Sequence, residues 1–132
     1  MNTTYFLNCV AGNIFKSTDA DALPTSLYIG LSTTAPSADG TGVTEPSDSE
    51  YSRVQLVNMS VPEDGCVKNN GAISFNESGE SWGTITHYVI CDAVTGGNVL
   101  MYGPLTVSRT VEAATVMTIR EGQLKLSALN PA

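Results

Sequence analysis

His87 is the only histidine in the chain, and the three cysteines are Cys9, Cys66 and Cys91. A Ser–His–Asp site needs a histidine that acts as base, an acid that orients it and an activated serine. His87 instead sits inside an apolar strand pattern, and no G-x-S-x-G elbow occurs. It reads as a structural, hydrogen-bonded histidine. The cysteines are far apart, form no C-x-x-C and, with a single histidine, assemble no zinc set of the usual spacing. They read as reduced, small, buried hydrophobes; the alternative is a disulfide or a reactive thiol, which nothing flanking them favours. Carboxylate pairs for glycoside hydrolysis must stand roughly 5–10 Å apart across a sugar cleft. The nearest candidates, Glu63/Asp64 and Glu77/Glu80, lie in turn-forming stretches and read as solvated turn acids. Gly96-Gly97 is followed by no helix and no Lys-Ser/Thr, so it is not a phosphate loop. The chemistry expected from this inventory is none: no catalytic residue, no cofactor and no metal site.

Composition narrows the partners. Of 132 residues, 6 are basic and 13 acidic, a net charge of −7, and only 14% are charged. Nucleic-acid binding is not expected, because neutralising phosphates needs a basic surface. The 42% hydrophobic content argues against a disordered chain. No stretch approaches the ~20 apolar residues of a membrane helix, and no basic residue precedes the first short apolar run. The length fits a single domain over residues 1–132.

The elements that would position these residues follow from periodicity. Phe6, Val10 and Ile14 recur at helical spacing, which predicts one helix over 3–16 with Thr3 or Thr4 as cap. A polar connection over 17–24 ends at Pro24. From Ser26 the period becomes two: Leu27, Ile29 and Leu31 alternate with smaller or polar residues. Further strands are predicted over 51–61, 66–68, 72–75, 83–91, 99–105, 106–111, 114–120 and 123–129. In 83–91, Ile85, His87, Val89 and Cys91 are expected on one face. About eight short strands with turn punctuation predict a mainly β chain: an antiparallel, jelly-roll-like β-sandwich over 26–129 behind one N-terminal helix.

Residues 32–50 form a long loop with Asp39, Glu45, Asp48 and Glu50 and no basic residue. It is either a solvated loop or a partner- or ion-binding one; EF-hand spacing is absent. Trp82 is either a core anchor or a contact residue at a subunit interface.

Several blocks, in order, resemble a family of small tailed-bacteriophage proteins labelled tail-fibre or minor tail proteins. They are the helix with Gly12-Asn13-Ile14-Phe15, the strand Leu27-Tyr28-Ile29-Gly30-Leu31-Ser32-Thr33, and the opening Tyr51-Ser52-Arg53. The loop Gly40 to Pro46, Ser81-Trp82-Gly83-Thr84-Ile85-Thr86-His87, then Ile90-Cys91-Asp92-Ala93 with Gly96-Gly97-Asn98-Val99-Leu100, and Glu121-Gly122-Gln123-Leu124 complete the set. The resemblance implies a non-enzymatic virion component, assembled in the bacterial host cytoplasm and attached in many copies to capsid, neck or tail. Contacts with other virion proteins are expected, and closed symmetry, the default for such subunits, predicts a homo-oligomer, a trimer or larger ring. Tyr5, Phe6, Phe15 and Trp82 are the expected assembly contacts, and the acidic loop the expected partner loop. Two readings compete with it: a host-recognition module for cell-surface glycan, and a small cell-wall hydrolase.

Overall fold

The computed structural model describes residues 1–18 and 21–127. Helix α1 spans Thr4–Ile14. The Thr3 hydroxyl accepts the Phe6 N–H at 3.2 Å, satisfying one of the donors that a helix start leaves unpaired. At the other end Lys16 takes φ +58° and the Ser17 N–H bonds back to the Gly12 carbonyl at 2.9 Å. That left-handed stop closes the last turn.

Eight strands follow: β1 Tyr28–Ser32, β2 Val54–Gln55, β3 Cys66–Lys68, β4 Ile73–Ser74, β5 Gly83–Cys91, β6 Val99–Val111, β7 Thr118–Ile119 and β8 Lys125–Ser127. Among the described residues the chain is therefore mainly β with one helix, as its period-two patterning predicts. The main sheet is antiparallel in the order β2-β1-β5-β6. Two antiparallel ribbons, β3-β8 and β4-β7, make up the rest. Ile29, Leu31, Ile85 and Ile90 of the main sheet share one buried cluster with Phe75, Met117, Leu124 and Leu126 from the ribbon side. The result is sandwich-like and open, with its second layer divided in two. Burying each of these apolar side chains contributes roughly 1.5–3 kcal/mol.

Several strand boundaries differ from the sequence pattern, each for a local reason. Over 51–61 only Val54–Gln55 pairs in a ladder, with Met59 in an isolated bridge to Asn69. Tyr51 and Arg53 make side-chain bonds instead, and Val57 and Val61 stay exposed. In β5 a register shift between Ile85 and His87 breaks the alternation. Ile85 thereby joins Ile90 in the core cluster, while Val89 and Cys91 are buried outside it. The two strands expected over 99–111 are one 13-residue strand with a wide bulge. Ile85 pairs with Arg109 but His87 with Pro104, so residues 105–108 stand opposite Thr86 alone. Pro104 has no N–H to give a ladder, and a bulge on an outer strand tolerates that loss. Only Thr118–Ile119 of 114–120 is strand. Ala128 and Leu129 of the last expected strand, and Asp19 and Ala20 of the expected polar connection, lie outside the described residues.

Candidate functional site

The acidic loop is knitted to the main sheet. β2 leaves β1 after Ile29, so the Leu31 N–H has no ladder partner there. The Tyr51 hydroxyl accepts it at 2.9 Å and donates to Glu45 Oε2 at 2.5 Å. Arg53 closes the cluster: Nη2 lies 2.6 Å from Glu45 Oε1 and Nε 3.1 Å from Oε2, a two-bond fork. Its Nη1 donates to the Ala93 and Gly96 carbonyls, both at 2.8 Å. One guanidinium thus ties the loop, the start of β2 and the β5–β6 turn together. Residue 30 must be glycine for this to fit. A Cβ there would lie 2.9 Å from the Tyr51 hydroxyl and 3.0 Å from Glu45 Oε2. Burial would raise the Glu45 carboxyl, but the Arg53 and Tyr51 hydrogen bonds and the Arg53 charge outweigh it and hold it below its ordinary value. The Tyr51 phenol is pushed well up by burial and by its bond to the Glu45 carboxylate.

Asp48 anchors a second point. Its Oδ2 accepts the Trp82 indole N–H at 2.8 Å and the Gly79 and Glu80 N–H groups at 2.6 and 3.2 Å. Oδ1 accepts the Glu50 N–H at 3.1 Å. The Trp82 bond, with the backbone donors, takes the carboxyl down to about 2 against the opposing effect of burial. Trp82 is buried and meets Tyr51 edge-on, with ring centroids 5.4 Å apart; Tyr51 in turn stacks on Phe75 at 6.4 Å.

These contacts divide the residues singled out by sequence. Trp82 is the core anchor and presents no surface for an assembly contact. Glu45 and Asp48 are committed to internal bonds, so only Asp39 and Glu50 of the four loop acids are exposed. Asp39 accepts from the N–H and hydroxyl of Thr41, at 3.0 and 2.6 Å, inside its own turn. Tyr5 and Phe6 are half-buried, whereas Phe15 is 82% exposed and Ile14 beside it 65%. The helix start is no free arm. The Thr3 hydroxyl donates to the Val99 carbonyl at 2.7 Å and its N–H to the Leu100 carbonyl at 2.9 Å.

The remaining candidates stay apart. His87 Nδ1 lies 2.8 Å from the Thr86 hydroxyl. Glu63 and Asp64 sit in the turn before β3, and Glu77 and Glu80 are exposed. All three cysteines are free; burial raises the Cys91 thiol to about 11. Among the described residues, no group of three or more His, Cys, Asp or Glu could hold a metal ion. None of their helices is long and apolar enough to cross a membrane.

A feature missed by sequence reasoning is a cavity of about 330 Å³ at the β6 bulge, walled by 104–107 and Arg109 on one side and 117–120, Gln123 and Leu124 on the other. Tyr88 completes it. Buried Asn69 holds the second wall: its Nδ2 donates to the Arg120 carbonyl at 2.9 Å and its Oδ1 accepts the Leu124 N–H at 3.0 Å. The one hint in the sequence is Pro104 within a strand pattern, a mark of edge or bulge.

A family model described as podophage GP4 fiber I protein gp80 matches residues 2–127. Among curated proteins, none matches the chain.

Proposed function

Since the chain belongs to the family of podophage GP4 fiber I protein gp80, a bacteriophage tail-appendage family, we propose that it is a non-enzymatic structural module carried in many copies on the particle surface. Membership makes it a structural virion component that associates with other virion proteins. The match over 2–127 carries the reading, because it spans both the helix and all eight strands. The internal chemistry supports it. The Arg53–Glu45 ion pair and the Trp82–Asp48 hydrogen bond bind loops to the sheet rather than face a cleft. Such wiring gives a rigid shape, which an assembled subunit needs. In this reading the protein assembles in the bacterial host cytoplasm and self-associates as a trimer or larger ring, with exposed Phe15 as an assembly contact.

Quantitative mass spectrometry of purified particles, with immunogold microscopy, tests the proposal. A fixed multiple of copies per particle and label on the tail are expected. Absence of the chain from particles overturns the proposal, one copy per particle overturns its multicopy part, and label over the head moves the attachment site to the capsid.

A further inference from the structure

We propose that the cavity at the β6 bulge binds an anionic saccharide, with Arg109 and Arg120 as its charge partners. The cavity exists because four β6 residues, 105–108, bow out opposite one β5 residue. Its floor includes buried Leu124 from the core, so it is a concavity backed by packed side chains. About 330 Å³ lies near the small end of ligand clefts, room for one or two sugar rings rather than a folded partner.

Charge selects the ligand. The chain carries −7 overall, with six basic residues, yet two of the six line this one cavity and no acidic residue does. Arg53 is spoken for by Glu45. Among the described residues, the Arg109 and Arg120 side chains have no hydrogen bond or ion pair, and neither do those of Thr106 and Gln123. Two free guanidinium forks match a carboxylate or phosphate. The unspent Thr106 hydroxyl and Gln123 amide supply donors and acceptors of the kind that sugar hydroxyls require.

Tyr88 adds an aromatic wall. It is the cross-strand partner of Gly103, where an added Cβ would lie 2.8 Å from the phenol oxygen and 2.9 Å from the ring. The missing side chain lets the ring lie across the strand. An aromatic surface beside polar groups and two cations suits a ring with one apolar face and one acidic substituent. A neutral apolar ligand would leave both arginines unused.

The test uses the purified full chain, labelled with ¹⁵N, and NMR titration with three probes: galacturonic acid, glucose 6-phosphate and galactose. The expected result is millimolar binding of one or both acidic sugars, with amide shifts confined to 103–109 and 117–124. Galactose should bind at least about tenfold more weakly, since it lacks the charge that the forks engage. Tighter galacturonate points to a uronic acid as the natural ligand, and tighter glucose 6-phosphate to a phosphorylated sugar. Arg109→Gln and Arg120→Gln should each cost about tenfold in affinity, the order expected for one charge-assisted contact. Both positions are exposed, so the spectra away from the cavity should be unchanged. Lys16→Gln, on the helix, should bind like the parent. No shifts with either acidic sugar, equal binding of galactose, or unaltered affinity in both arginine variants would overturn the proposal. Inorganic phosphate binding as tightly as glucose 6-phosphate would overturn its saccharide part.

Discussion

Replacing Arg53 by alanine removes the cation that joins the acidic loop, the start of β2 and the β5–β6 turn. The Arg53 side chain is 9% exposed and that of Glu45 24%, so the pair is largely withdrawn from water. Removing one partner of a buried pair typically costs about 3–5 kcal/mol, because the other charge is left uncompensated. Glu45 keeps its Tyr51 bond and has a quarter of its surface for new water, which brings the expected loss to about 2–3 kcal/mol. For a chain of this size that is roughly 6–12 °C in melting temperature. The assay is thermal and urea unfolding at pH 7 and at pH 3. The Glu45 carboxyl is depressed in the folded chain below its ordinary 4.5. Its contribution is therefore complete above the unfolded value and lost as pH falls through the lower folded one. The Arg53→Ala deficit should be largest at pH 7 and shrink in acid, where a protonated Glu45 no longer needs a cation. Glu45→Gln should cost less, about 1–2 kcal/mol, since the amide still accepts one bond. The double variant should fall short of the sum by about 1 kcal/mol or more. A melting point within 2 °C (about 0.5 kcal/mol) of the parent for Arg53→Ala would refute the reasoning. So would equal deficits at both pH values, or strict additivity.

Asp48→Asn should lower stability at neutral pH and shift Trp82 fluorescence, because one amide oxygen cannot serve the four donors that the carboxylate accepts. As the folded carboxyl is depressed to about 2, the parent's stability from this group is present above about 3.8 and lost toward 2; the variant's acid titration should be flatter there. Gly30→Ala should destabilise by about 1–3 kcal/mol in urea melts, since the new methyl meets the Tyr51 hydroxyl and Glu45. Iodoacetamide at pH 7 should modify half-buried Cys66 well before buried Cys91, as read by peptide mass, and urea should abolish the difference. Phe15→Ser should leave the melting temperature within about 2 °C, being a surface change, yet reduce incorporation into particles in a complementation assay.

The family and the mainly β class were legible in the sequence because they rest on local signals. Period-two runs such as Leu27, Ile29 and Leu31 choose a strand by alternation alone, and Phe6, Val10 and Ile14 choose a helix in the same way. The start of that helix was legible too, since Thr3 caps its own chain neighbourhood. What the tertiary structure decided depends on residues far apart in the chain. The acids of the 32–50 loop look alike as composition, but only the fold brings Glu45 to Arg53 and Asp48 to Trp82, leaving Asp39 and Glu50 outside. The 51–61 segment has strand-like alternation, yet Tyr51 bonding to Leu31 and Glu45 takes its start out of the ladder. The Ile85 face could not be read by alternation, because the shift at Thr86 answers a bulge in another strand. The cavity at that bulge is lined by Arg109 from β6 and by Arg120 from the facing wall, which Asn69 holds. Local patterning sets what each segment can be, while cross-chain hydrogen bonds and register determine which side chains meet.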